Sequence, residues 1–388
     1  MIDHLKQEFD KIFHESGELR YFFAPGRVNL IGEHIDYNGG YVFPTALDVG
    51  TYLAVRKRSD RKLRFYSENF PQMGIVEGDL DDLAYSQADD WVSYAKGVLY
   101  MFMEEGMTGD KGFDVYVFGN IPNGAGLSSS ASIELAFAVM WDAVNGFSMD
   151  RVTMVKLCQR AENEYIGVNC GIMDQFAIGF GKKEHAVLLD CDTLDYEYAR
   201  LKLDGYKILI ANTNKRRGLA DSKYNERRQE CETALSELQE KEVVSHLCEL
   251  DEAAFNEASH LIKGADRLKR ARHAVTENER TKKAFRALED GDLPAFGQLM
   301  NDSHVSLRDD YEVTGKELDA MVEAAWQEET VIGARMTGAG FGGCTVNIVK
   351  EDGLDETVKR ISQRYTDQTG IEPKFYVVTT GDGAKELT

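Results

Sequence analysis

The sequence predicts an α+β protein built from two packed units. Three observations carry that expectation. Its 388 residues exceed what a single hydrophobic core usually organises. Strand-like segments crowd the first part of the chain and helical patterns follow, where a doubly wound fold would alternate the two. From about residue 201 the composition changes to a strand and then a long, highly charged helical stretch, so the chain is divided into residues 1–200 and 201–388.

Taken in order, residues 1–20 read as an amphipathic helix with Leu5, Phe9, Ile12 and Phe13 on one face. No basic segment precedes an apolar run there, which argues against a leader. Segments rich in Val, Tyr and Phe, set off by turn residues, predict strands over 20–25, 41–56, 62–67 and 113–119. Helices are expected over 129–144 and 149–165. In the second unit a strand over 206–212 leads into helical sequence from 219 to 325. A strand over 344–349, a helix over 354–368 and a strand over 374–379 close the chain. There are no repeats or low-complexity segments, and only six prolines, so no flexible linker stands out.

Composition excludes several function classes. The formal charge of −21 disfavours nucleic acid, whose binding depends on phosphate neutralisation by Lys and Arg. No window reaches the roughly 18 apolar residues that a membrane-spanning helix needs. The six cysteines are scattered, without zinc-type spacing, and read as reduced thiols of an intracellular protein. A protein this acidic that binds a polyphosphate must do so locally, with backbone N–H groups, a helix N-terminus, a metal ion and a few placed cations.

Three motifs carry chemistry. In Gly119-Asn-Ile-Pro-Asn-Gly-Ala-Gly-Leu-Ser-Ser-Ser-Ala131, Gly124, Ala125, Gly126 and Leu127 precede Ser128, Ser129 and Ser130 at the start of a helix. Glycines permit close backbone approach, and the helix start aims unpaired N–H groups and a positive dipole end at one point, which suits a phosphate. The Walker-type G-x-x-x-x-G-K-[ST] pattern is missing. Taken alone, the segment reads better as a Gly-rich turn with a serine cap, and only its partner motifs lift it above that. In Gly26-Arg-Val-Asn-Leu-Ile-Gly-Glu-His-Ile-Asp-Tyr-Asn-Gly-Gly40, Glu33, His34, Asp36 and Tyr37 cluster beside Arg27. Ionised carboxylates accept hydrogen bonds without donating and so suit vicinal sugar hydroxyls. A polar turn satisfying its own backbone is the alternative. The third motif, Arg335-Met-Thr-Gly-Ala-Gly-Phe-Gly-Gly-Cys344, contains Gly338-x-Gly340-x-x-Gly343, formally a dinucleotide fingerprint. That reading fails, because the following residues alternate as a strand where the fingerprint should open a helix. A loop packed against the phosphate loop fits better.

Two further carboxylates stand out. Glu162 falls between Cys158 and Tyr165 on the apolar stripe of its helix, where it is costly unless bound to a cation or paired; metal ligation and a salt bridge remain open. Asp174, among Ile172, Met173 and Phe176, is either a tunable base, given a nearby cation such as Arg27, or a helix cap.

Together these segments resemble galactokinases of the GHMP kinase superfamily along essentially the whole chain. GRVNLIGEHIDYNGG is similar to the galactokinase signature, GNIPNGAGLSSSAS to the superfamily ATP loop and MTGAGFGGC to its third motif, with AENEYIGVNCGIMDQF and SKYNERRQECE also alike. Ile35 departs from the Thr that galactokinases often carry there. The resemblance implies an N-terminal domain like ribosomal protein S5 domain 2, a ferredoxin-like C-terminal domain and a cleft between them. It further implies an ATP-dependent galactose 1-kinase that is cytoplasmic and monomeric. Glu33, His34, Ile35 and Asp36, with Gly171 and Tyr224, would form the galactose site. Gly124 to Ser130 would wrap the ATP phosphates, Ser67 would touch the nucleotide, and Ser130 and Glu162 would ligate Mg2+. Asp174 would be the catalytic base and Arg27 its electrostatic partner. An N-acetylgalactosamine or arabinose kinase is the nearest rival. A non-catalytic galactose sensor is disfavoured, because Ser130-Ala131-Ser132 is uninterrupted.

Overall fold

The computed structural model describes residues 1–14, 17–122, 126–215 and 220–388. Its strands are β1 (Arg20–Asn29), β2 (Tyr41–Val42), β3 (Pro44–Lys57), β4 (Lys62–Ser67), β5 (Val76–Asp79), β6 (Phe113–Gly119), β7 (His185–Asp190), β8 (Tyr196–Arg200), β9 (Tyr206–Asn212), β10 (Val331–Thr337), β11 (Cys344–Lys350), β12 (Lys374–Val378) and β13 (Lys385–Leu387). The helices are α1 (Ile2–Phe13), α2 (Val92–Glu104), α3 (Ser129–Asn145), α4 (Arg151–Arg160), α5 (Met173–Phe180), α6 (Ala220–Leu238), α7 (Glu252–Ala258), α8 (Ala265–Glu289), α9 (Leu293–Ser306), α10 (Gly315–Trp326) and α11 (Leu354–Thr369).

Strands β1, β3, β4, β5 and β6, joined by β13, form a six-stranded sheet in the order β13-β1-β3-β6-β4-β5. One face is covered by α2 and α3, whose apolar residues, Val98, Phe102, Phe137 and Trp141 among them, join Phe65, Phe113 and Val115 of the sheet in the main core. The amphipathic α1 buries Leu5, Phe9 and Phe13 with Tyr116 of β6 in a smaller cluster. A second sheet has the order β10-β11-β9-β12 and is antiparallel throughout. Read along the chain, β9, the intervening helices, β10, β11, α11 and β12 follow the split βαβ arrangement of a ferredoxin-like domain. Helices α10 and α11 pack together against this sheet.

Several sequence expectations change in the structure. The first strand runs on past Pro25 to Asn29, with a register shift between Pro25 and Arg27. The helix expected over 149–165 begins at Arg151 and widens into a π-helical turn over Ala161–Ile166. The charged stretch from 220 to 325 is a set of separate helices, and within its basic run Arg267-Leu-Lys-Arg-Ala-Arg272 the Arg270 side chain is buried and paired with Glu230 and Glu312. Helices α2 and α5 and strands β5, β7, β8, β10 and β13 were not foreseen. Strand β13 returns the end of the chain to β1, pairing Tyr21 with Leu387. Among the described residues no helix is long and apolar enough to cross a membrane.

Candidate active site

The bulge in β1 positions the first charged group. Gly26 approaches the loop before α3 so closely that an added Cβ would lie 2.8 Å from the carbonyl oxygen of Leu127, and the N–H of Arg27 donates to that same carbonyl at 3.1 Å. Bulges re-aim side chains; here Arg27 reaches Asp174 in the first turn of α5. The pair is bidentate, Nε to Oδ1 and Nη2 to Oδ2 at 2.7 Å each, while Nη1 donates to the carbonyl of Gly126 at 2.7 Å. Ser128 precedes α3 in a left-handed conformation (φ 58°, ψ 57°). Its hydroxyl leaves the helix uncapped and donates to Asp174 Oδ2. Asp174 is not the cap of α5, a place taken by Ile172: it lies in the first turn, and its oxygens face Arg27 and Ser128.

Around this pair lies a cleft of about 580 Å³ lined by residues of all three motifs, including Arg27, Glu33, His34, Asp36, Gly126 to Ser130, Glu162, Gly171, Asp174, Tyr224, Gly338 and Ala339. Glu33 is buried against the equally buried Arg335, with Nη2 to Oε2 at 2.8 Å. Burial pushes the Glu33 carboxyl up, and the Arg335 and Arg27 charges oppose that shift. Asp36 is raised to about 7, first by desolvation and then by the neighbouring Asp174 charge. His34 is lowered to about 3 by burial and is neutral. At Gly171 an added Cβ would sit 1.9 Å from Asp36 Oδ2, so the backbone itself walls the carboxylate and only glycine fits. The Tyr224 ring lies 5.5 Å from the His34 ring.

At the other end of the cleft stands the N-terminus of α3. The π-helical turn after α4 is closed by N–H groups of Gly167 and Val168 donating to the Glu162 carbonyl at 3.0 and 2.9 Å. It holds Glu162 against Ser130, to which its side chain hydrogen-bonds. The amide of Gln175 on α5 donates to Glu162 Oε2 at 2.8 Å and to Glu134 Oε2 at 3.0 Å. Glu134 is fully buried, and its second oxygen has no hydrogen-bond partner among the described residues. Burial raises both carboxyls; the charges of Glu162 and Asp174 push Glu134 up further, and that of Asp174 does the same to Glu162. Among the described residues no Lys or Arg forms an ion pair with either. Nor is any group of three or more His, Cys, Asp or Glu side chains arranged around one metal position. A hydroxyl and a carboxylate facing a phosphate site nevertheless fit Mg2+, which typically takes one or two carboxylates and completes its shell with phosphate oxygens and water.

Two residues named from the sequence do not line this cleft. The Ile35 side chain is fully buried in the main hydrophobic core, because the tight turn over Asp36–Asn38 sends it inward while its neighbours face the cleft. Ser67 ends β4 outside the cleft lining, its buried hydroxyl accepting from the N–H of Asn69. Gly124 and Ala125 lie outside the described residues. Arg335, Glu134 and Gln175 were not singled out from sequence, although a charged or amide residue at an inward position of a strand or helix is the available signal. The third motif forms the tight β10–β11 connection; Gly338 and Ala339 line the cleft, and an added Cβ on Gly338 would lie 3.6 Å from the Gly126 carbonyl.

A phosphate-directed helix start, a glycine loop folded against it and a carboxylate–arginine pair at the junction define a kinase of the GHMP type. Family models agree: GHMP kinase N-terminal and C-terminal domains match residues 93–182 and 284–367, and the galactokinase galactose-binding signature matches residues 7–57. The chain belongs to the galactokinase family. It is 57% identical over 388 residues to galactokinase from Fusobacterium nucleatum, covering all of both chains. To galactokinase from Bacillus subtilis it is 53% identical over 387 residues, covering 100% of this chain and 99% of that one. The crystal structure of Lactococcus lactis galactokinase complexed with galactose superposes with a TM-score of 0.97 at 47% identity over 100% of both chains. Methanococcus jannaschii mevalonate kinase shares the fold alone, with a TM-score of 0.68 at 16% identity over 95% of this chain and 99% of that one.

Proposed function

We propose that this ATP-dependent sugar kinase transfers the γ-phosphate of ATP to the C1 hydroxyl of α-D-galactose, giving α-D-galactose 1-phosphate and ADP. The observation that carries the reading is the placement of Asp174, gripped by Arg27 and Ser128, between the Glu33–Asp36 segment and the N-terminus of α3.

Phosphoryl transfer asks a protein mainly to position its reactants and to neutralise developing charge. Glu33 and Asp36 accept hydrogen bonds from sugar hydroxyls, His34 donates one, and Gly171 and Tyr224 bound the pocket. The Gly124–Ser130 loop and the N–H groups opening α3 hold the ATP phosphates, with Ser67 left as a nucleotide contact to be tested. Asp174 takes the proton from the C1 hydroxyl as that oxygen attacks the γ-phosphorus and the bond to the ADP oxygen breaks. Arg27 keeps Asp174 oriented and offers positive charge beside the transferring group. Ser130 and Glu162 would hold Mg2+, which when bound neutralises charge on the phosphates. The enzyme is taken to act as a monomer in the cytoplasm.

Transfer of labelled phosphate from Mg·ATP to galactose tests the reading directly. N-acetylgalactosamine and arabinose serve as competitors, because a site built to bond hydroxyls discriminates strongly in kcat/KM. Equal turnover of the three sugars would remove the galactose assignment, and absence of transfer would remove the kinase itself.

A further inference from the structure

A chain of hydroxyl and thiol groups runs from the cleft into the second unit. His34 Nδ1 lies 2.8 Å from the Tyr37 hydroxyl, that hydroxyl lies 2.8 Å from the Tyr311 hydroxyl, and the latter lies 3.2 Å from Cys231 Sγ. Its far members are closed off from water: Tyr311 is 0% exposed and Cys231 1%. Tyr311 ends the second π-helical turn, over Leu307–Tyr311, and its ring lies between those of His34 and His273, at 4.9 and 4.5 Å. Cys231 lies on α6, and its sulfur also hydrogen-bonds the Asn38 side chain.

The direction of this chain follows from its open end. His34 Nε2 faces the carbonyl of Ala339 at 3.2 Å. A carbonyl only accepts, so Nε2 carries the proton. A neutral imidazole has one N–H, so Nδ1 is bare and accepts from Tyr37. With its proton committed to His34, the Tyr37 oxygen accepts from Tyr311. By the same step Tyr311 accepts from the Cys231 thiol. Every member but the last is then both donor and acceptor, and reversing any link leaves two protons or two lone pairs face to face in a buried site.

We propose that Tyr37, Tyr311 and Cys231 are positioning residues that fix His34 as its Nε2–H tautomer, so that the sugar wall holds one N–H donor, resting on the Ala339 carbonyl in the empty cleft until a sugar hydroxyl shares or takes it, beside the acceptor carboxylates Glu33 and Asp36. The consequence is selectivity for a hydroxyl that can accept from His34 while its neighbours donate to the carboxylates. Because Tyr311 and Cys231 belong to the second unit, the sugar pocket takes part of its hydrogen-bond polarity from residues that do not line it. The consequence for galactose rests on the reading of His34 as a sugar ligand; the tautomer assignment does not.

The test uses the full-length enzyme labelled with 15N-histidine. The His34 ring is assigned by its response to galactose and its absence in His34→Gln, and long-range 1H–15N spectra read which nitrogen is protonated. A protonated Nε2 with a bare, hydrogen-bonded Nδ1 is expected; the opposite tautomer, or an even mixture, overturns the relay. Tyr37→Phe and the more remote Tyr311→Phe should each shift the bare-nitrogen resonance. Each should also raise the galactose KM about three- to tenfold, with kcat changed by less than about twofold, as loss of one hydrogen bond predicts. A role in packing alone lowers the melting temperature without moving the His34 nitrogens, and that result also overturns the relay. If the resonance moves while the galactose KM stays put, the relay stands and the sugar contact of His34 falls. Cys231→Ser retains a donor and should keep the wild-type spectrum, whereas Cys231→Ala should not.

Discussion

At the end of the cleft formed by the Glu33–Asp36 segment, where the sugar is proposed to bind, Glu33 and Asp174 each face an arginine, Arg335 and Arg27 respectively. At the helix end, Glu134 and Glu162 share the side-chain amide of Gln175 and meet no cation among the described residues. Both arrangements bury negative charge, which is costly unless compensated. The first is compensated by the chain itself and is complete before any ligand arrives. The second is left short of positive charge beside a helix N-terminus, where a metal bound with the triphosphate would supply it. The contrast also suggests how a chain of net charge −21 would bind a polyphosphate: with local positive charge, part of which would arrive with the substrate as the proposed Mg2+.

The strongest way to break this comparison is at Asp174, where the two ends meet. Asp174→Asn should lower kcat by roughly 10²–10⁴-fold while galactose binding, followed calorimetrically, survives. A variant that keeps most of its turnover removes the base assignment. Next comes the self-compensated pair. Arg335→Leu leaves Glu33 buried and unpaired and should cost about 3–5 kcal/mol in urea unfolding, because removing one partner strands the other. A loss within the range of ordinary surface substitutions would mean that Glu33 is neutral in the fold.

The helix end is sharpened by Gln175→Leu, which takes the shared amide from the two carboxylates. Apparent Mg2+ affinity in the kinase assay should fall about 10- to 100-fold, the usual cost of losing a group that orients a ligand, with the galactose KM little changed. An unaltered Mg2+ dependence would detach Glu162 from the metal. The smallest effect is one of pH. In the empty site burial pushes Asp36 up from its ordinary 3.8 to about 7, so its neutral form dominates below that pH and the ionised form takes over as pH rises through it. Galactose hydroxyls that donate to the carboxylate favour that ionised form. Galactose affinity should therefore rise with pH by at most about tenfold per unit up to about 7 and level off above it. Asp36→Asn should flatten the profile, and a profile unchanged by that substitution would assign the titration to another group.

How much of this was legible beforehand depends on the kind of signal. Arg27, Glu33, His34, Asp36 and Asp174 were readable because their motifs concentrate polar groups among glycines and apolar residues, a pattern that ordinary packing does not favour. Ile35 was grouped with them by adjacency, and the turn at Asp36–Asn38 turned it inward. Gln175 and Glu134 look unremarkable in sequence, since an amide and a carboxylate on helices usually face water. Only the meeting of α3, α5 and the π-helical turn makes them partners.

The sequence by itself determined the α+β class, the three motifs, the rejection of a dinucleotide fold and the family, because these depend on local composition, spacing and resemblance. Tertiary structure alone decided which carboxylates have cations, why residue 171 must be glycine and how His34 is oriented from a distant helix. Those facts rest on distances between segments far apart along the chain, and such distances are set by packing, which no local pattern encodes.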